Sequence, residues 1–104
     1  MAIKLTDMRN RTYRLEYEYQ GDTMAVEYLP NAVDREFVEA VGQIEDSFES
    51  AAFQIGKVVK AWDLLDENDQ PIPPADPLVA SLPLPFTMGL LAAIVEDVKA
   101  RKKG

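Results

Sequence analysis

The 104-residue chain contains no histidine and no cysteine. The missing histidine removes the commonest general base, the side chain that changes charge near neutral pH, and the commonest transition-metal ligand. The missing cysteine removes thiolate nucleophiles, thiolate zinc sites and disulfides, and is in keeping with a reducing compartment. Glycine is scarce and scattered: Gly21, Gly42, Gly56, Gly89 and Gly104 stand singly, so there is no glycine-rich phosphate loop and no Gly-x-Ser-x-Gly elbow. No apolar run approaches the roughly 20 residues of a membrane span. The opening "MAIKLTDMRNRTYR" carries charges where a signal peptide has its apolar stretch. Carboxylates are plentiful, but a catalytic pair held across a cleft asks for a larger scaffold. The expectation is a protein without catalytic residues, cofactor, metal, small-molecule substrate or membrane association.

What the chain has in excess is acid. The net charge is −7, and it is unevenly spread. Residues 1–14 carry +3 (Lys4, Arg9, Arg11 and Arg14 against Asp7), residues 99–104 carry +4, and the body between them carries −14. Such a body repels a phosphate backbone, and two short basic ends do not form a groove for nucleic acid. An acidic surface keeps a protein soluble and suits a basic protein partner.

Local patterning predicts the elements. Tyr13, Leu15, Tyr17 and Tyr19 alternate with polar residues, as do Met24, Val26 and Tyr28 after Gln20-Gly21-Asp22. Alternation on both sides of a turn that tolerates positive φ reads as a β-hairpin. Its tyrosine face needs a cover, because an isolated hairpin is marginal in water. Phe37, Val41, Ile44, Phe48, Ala51 and Ile55 recur at helical steps, which predicts one long amphipathic helix. Asn31 stands at its N-cap and Gly56 at its end, while Gly42 and the "EDSFES" stretch weaken it and leave room for a break near Ser47–Ser50. The seam serves the core or, as the alternative, contact with a partner or a second copy. "KVVKAWDLL" reads as a third strand around Trp62.

"ENDQ" is a turn. As a calcium loop, Asp66, Asn68 and Asp69 would be followed by glycine at the sixth position and glutamate at the twelfth, where Pro71 and Pro77 stand instead. "PIPPADP" is a stiff spacer. Asp76 caps a short helix with Pro77 in its first turn. After "LPLP", a last helix carries Phe86, Leu90, Leu91, Ile94, Val95 and Val98 on one broad face, with Lys99, Arg101 and Lys102 suiting its negative C-terminal end. The stretch Leu78–Leu91 is dense in apolar residues, and whatever part of it stays uncovered marks a binding surface. The fold class is therefore α+β: a small antiparallel sheet packed with a long amphipathic helix and a C-terminal helix. It forms one domain over 1–104, with flexible basic ends at about 1–10 and 100–104.

The order of these features resembles a family. "NRTYRLEYEYQGDTMAVEYLPNAVDREFVEAV" followed by "VVKAWDLLDENDQPIPPADPLVASLPLPFTMGLLAAIVEDV" is similar to the tail assembly chaperones of long-tailed siphophages. The likeness lies in a strand pair before a helix, then a WDL-acid-turn-Pro segment leading into an LPLP helix, over roughly residues 4–98. It implies a non-enzymatic protein, working in the cytoplasm of the infected bacterial host, that binds and solubilises the helical tape measure protein and helps recruit tail tube subunits. The alternative is a structural tail component retained in the virion. The surface expected to meet the partner is the C-terminal apolar face, Leu84, Phe86, Leu90, Leu91 and Ile94, with the seam of the long helix second.

Overall fold

The computed structural model describes the backbone of residues 2–103 and the side chains of residues 2–101. Met1 and Gly104, at the two basic ends, lie outside the described residues. The elements are α1 (Leu5–Asn10), β1 (Tyr13–Tyr19), β2 (Asp22–Tyr28), α2 (Arg35–Gly42), α3 (Ser47–Val58), β3 (Val59–Trp62), a 3₁₀ helix (Pro77–Ser81) and α4 (Leu84–Lys103). The strands form an antiparallel sheet in the order β1-β2-β3, so the chain has the expected α+β fold with its third strand beside the hairpin.

The hairpin closes on Gln20 (φ 51°) and Gly21 (φ 91°), with Tyr19 paired to Asp22. Two successive residues at positive φ give a turn whose twist matches the strands it joins. Pairing then places Tyr13 opposite Tyr28, Leu15 opposite Val26, and Tyr17 opposite Met24 on one face. That face is covered. Tyr17, Met24, Val26 and Tyr28 enter a core with Ile55 and Val58 of α3, Val59 of β3, Ile72, Val79, and Leu90 and Ile94 of α4. The opposite face carries Arg14, Glu16 and Glu18 into solvent. Between β2 and β3 the register shifts at Glu27/Tyr28, so that Glu27 faces Ala61 while Tyr28 faces Val59. Lys60 is the extra residue of this bulge and lies 3.8 Å from Glu27, an exposed pair that contributes little to stability.

The expected long helix is two helices. Asp34, not Asn31, caps α2 by accepting from Phe37 N at 2.9 Å, and Asn31 instead donates to the carbonyl of Met8. α2 stops at Gly42, just short of the expected break. Asp46 starts α3 by accepting from Glu49 N at 2.9 Å. A strong N-cap in mid-seam favours a new helix start over continuation. Phe48 consequently points largely outward at 44 % exposure, while Ala51 and Ile55 are buried. Phe37 is held by stacking on Phe53. Gly56 does not end α3, which runs to Val58. It admits close packing instead: a methyl there would touch the Ala75 backbone at 3.5 Å.

The third strand is shorter than its sequence pattern, because Leu64 and Leu65 leave the sheet for a small folded loop. Leu65 bridges Pro71, Ile72 N donates to the carbonyl of Leu64, and Asp66 Oδ1 accepts from Asn68 N and Gln70 N. Ile72 is thereby buried, and its carbonyl accepts the indole N–H of Trp62. Asp76 caps the 3₁₀ helix through Leu78 N at 2.8 Å, as its position before Pro77 predicts. At the ends, residues 5–10 form a helix with no buried residue, and α4 continues to Lys103.

The far end of α4 is tied to the hairpin through side chains. Tyr28, fully buried, donates its hydroxyl to Asp97, which also receives Arg101 Nε at 2.8 Å. Arg101 lies 4.4 Å from the Tyr13 ring centroid and donates from Nη2 to the carbonyl of Arg14. In this hairpin register the Arg14 carbonyl faces away from β2, so the guanidinium shields an edge that another strand would otherwise pair with. Burial, together with the hydrogen bond to the Asp97 carboxylate, pushes the Tyr28 hydroxyl well above the usual tyrosine range. Burial and the neighbouring Tyr19 push Tyr17 up as well. Burial opposes ionisation of Asp97, but the bonds from Arg101 and Tyr28 outweigh it and hold the carboxyl below the usual aspartate range.

These directions fix the pH dependence. A tyrosine raised in the folded state contributes stability below its unfolded value of about 10 and loses it as pH climbs from there toward the folded value. The lowered Asp97 contributes above its unfolded value of about 4 and loses that contribution as pH falls further. The melting midpoint is therefore expected to decline at both extremes. Tyr28→Phe should flatten the alkaline decline and Asp97→Asn the acid one, as read by thermal melts across the pH range. An alkaline limb unchanged by Tyr28→Phe would contradict the buried hydroxyl.

Candidate functional site: an apolar groove at the hairpin tip

The sheet is longer than its cover at one end. α4 begins beside Tyr17, whose hydroxyl donates to the carbonyl of Phe86 at 2.9 Å, and runs from there toward the base of the hairpin. At the hairpin tip the inner face emerges beyond the helix as a groove of about 340 Å³, near the lower end of the range for binding pockets. Tyr17, Met24 and Phe86 form its floor; Tyr19, Leu64, Leu82 and Pro83 form its walls; Asp22, Thr23 and Asp63 form its rim. The aromatic part is fixed by mutual packing. The Phe86 ring lies 5.6 Å from Tyr17 and 5.2 Å from Tyr19, both edge-on, and 6.3 Å from Trp62. Edge-to-face pairs of this kind hold their rings in place beyond what burial alone does.

The rim is acidic. Asp63 follows the last residue of β3 and accepts from Ala25 N at 3.3 Å, which satisfies an amide of β2 that β3 is too short to reach. Asp22 closes the hairpin turn and is exposed. Among the described residues no lysine or arginine lines the groove.

Of the residues expected to meet a partner, the structure brings only Phe86 to this groove. Leu90 is fully buried and Ile94 is 6 % exposed, both in the core; they are not available to a partner without unfolding. Leu91 is half-buried against the same core, and Leu84 is half-buried at the first position of α4. The reason is the direction in which the helix faces. Tyr17, Tyr28 and Ile55 demand an apolar cover, and the Leu90–Ile94 side of α4 supplies it. What remains outside is Met88, Ala92 and Val95, a stripe at helical spacing with Met88 and Val95 about half exposed. From the dense stretch Leu78–Leu91, Leu78 and Met88 stay uncovered.

Sequence reasoning missed Asp22, Asp63, Leu64, Leu82 and Met24 as lining residues, because they come from three separated segments, each with an ordinary local role. Comparison with known protein families, with curated proteins and with solved structures finds no match. Among the described residues no helix is long and apolar enough to cross a membrane, and no group of three or more Asp or Glu is placed to hold a metal ion.

Proposed function

We propose that this protein is a non-enzymatic tail assembly chaperone of the siphophage type. It binds the tape measure protein, keeps it soluble in the cytoplasm of the infected host, and helps recruit tail tube subunits around it. The observation that carries the reading is the apolar groove between the hairpin tip and α4, lined from the hairpin, the WDL segment and the LPLP segment that carry the resemblance. Reversible association of this kind needs an apolar slot for one face of a helix and enough surface charge to keep the complex in solution. The groove supplies the first, and the net charge of −7 supplies the second.

The test is an affinity pull-down of the tagged protein from cells assembling phage, with purified virions examined by mass spectrometry in parallel. The expected result is a very long helical protein in the pull-down and none of this chain in virions. Stoichiometric presence in virions would refute the chaperone and make the chain a structural tail component.

A further inference from the structure

We infer that the groove takes a basic amphipathic helix: one bulky apolar side chain enters between Tyr19, Leu82 and Phe86, while Lys or Arg within a turn of it meets Asp22 and Asp63. The inference rests on the chaperone reading above and gives the chemical class of the segment that this site accepts. Its basis is charge complementarity around an apolar floor. Both ionised groups in the lining are carboxylates, and they stand at the rim rather than among the rings. An apolar anchor flanked by acids would bring like charges together at both edges, which disfavours the encounter. A basic flank is attracted before contact and fixed after it.

Asp63 is suited to this role because the amide of Ala25 holds its carboxylate in one orientation through Oδ2. The chain itself carries basic residues next to exposed apolar ones in and around α1, where Ile3, Leu5 and Met8 lie near Lys4, Arg9 and Arg11. That segment sits at the other end of the sheet, bonded through the Met8 carbonyl to Asn31. Docking it into another copy would be a head-to-tail contact, which propagates without limit unless the rotation closes. A separate partner is the occupant that leaves the chaperone free to dissociate.

The test uses the full chain and two synthetic helical peptides without tryptophan. One carries a Leu/Phe stripe flanked by Lys and Arg, and its twin carries Glu in place of each basic residue. The single tryptophan, Trp62, is the reporter, since its ring lies 6.3 Å from Phe86. The basic peptide is expected to change its fluorescence with an affinity that falls as salt rises. Asp22→Asn/Asp63→Asn should weaken binding by roughly fivefold to tenfold, the size of two exposed ion pairs. This double variant keeps an oxygen to accept from Ala25 N, and circular dichroism checks its fold.

Equal binding of both peptides, or binding of neither, would overturn the inference. So would self-association of the chain, measured by sedimentation, that the basic peptide fails to displace, since the groove would then belong to a second copy. Capture of the tape measure protein by wild type together with peptide binding blind to charge removes this inference alone. Absence of capture removes the reading beneath it.

Discussion

Replacing Leu90 by aspartate is expected to unfold the protein. The side chain is 0 % exposed, in a core built with Tyr17, Val26, Tyr28, Ile55 and Ile94. Truncating a leucine in such a place costs about 2–5 kcal/mol. A carboxylate there also loses its hydration with no cation in the core cluster to replace it, which adds several kcal/mol or forces it to take up a proton. Against a total stability of about 5–15 kcal/mol for a domain, the sum removes the folded state or leaves a small fraction of it. Far-UV circular dichroism and a urea titration should show a chain unfolded at zero denaturant or melting far below wild type. Met88→Asp, two residues away on the exposed side of the same helix, should stay within about 0.5 kcal/mol of wild type. A Leu90→Asp protein with a wild-type midpoint would mean that α4 faces the other way. Placing Leu90 on the partner surface, as the resemblance to the chaperone family does, points to the opposite outcome, with partner binding lost and the fold intact.

That reversal shows what the sequence holds and what it withholds. Alternation at Tyr13–Tyr19 and Met24–Tyr28, with Gln20-Gly21 between them, specifies the hairpin, because period-two patterning and positive φ are local properties. Asp76-Pro77 likewise marks the start of the 3₁₀ helix. The stripe of α4 is legible too, but its apolar residues from Phe86 through Val98 spread over about half of the helix circumference. Which side turns inward is decided by Tyr17 and Tyr28, each 69 residues from its hydrogen-bond partner on α4. The division of the long helix at Gln43–Asp46 was half legible. Gly42 and the acid-serine run signal weakness, but the decision rests on Asp46 capping better than Ile44 and Phe48 pack. The groove was not legible, since Asp22, Asp63 and Leu82 converge only once the sheet order is known.

The contact of Gly89 with Tyr17 carries the second large expectation, and it is one of sign as well as size. Ordinarily alanine in place of a helical glycine gains about 1 kcal/mol, by restricting the unfolded chain and favouring the helix. Here a methyl on Gly89 would lie 2.5 Å from Tyr17 Oη, closer than atoms can approach. The tyrosine has little room to yield. Its ring is 7 % exposed and packs edge-on against Phe86, and its hydroxyl donates to the Phe86 carbonyl at 2.9 Å. Overpacking of this kind costs about 1–3 kcal/mol, and displacement of the hydroxyl adds a lost hydrogen bond of about 1 kcal/mol. Gly89→Ala should therefore destabilise by about 1–3 kcal/mol after the helical gain is subtracted. In Tyr17→Phe the obstacle is gone, and the next atom met is the ring carbon Cζ at 3.6 Å, an ordinary contact. The same Gly89→Ala change made in that background should stabilise by up to about 1 kcal/mol. The double-mutant cycle, measured by urea unfolding, thus predicts a coupling of about 2–4 kcal/mol with opposite signs for one substitution in two backgrounds. Equal effects in both backgrounds would place Tyr17 away from α4 and take the floor of the groove with it, because the same tyrosine packs on Phe86 to form that floor.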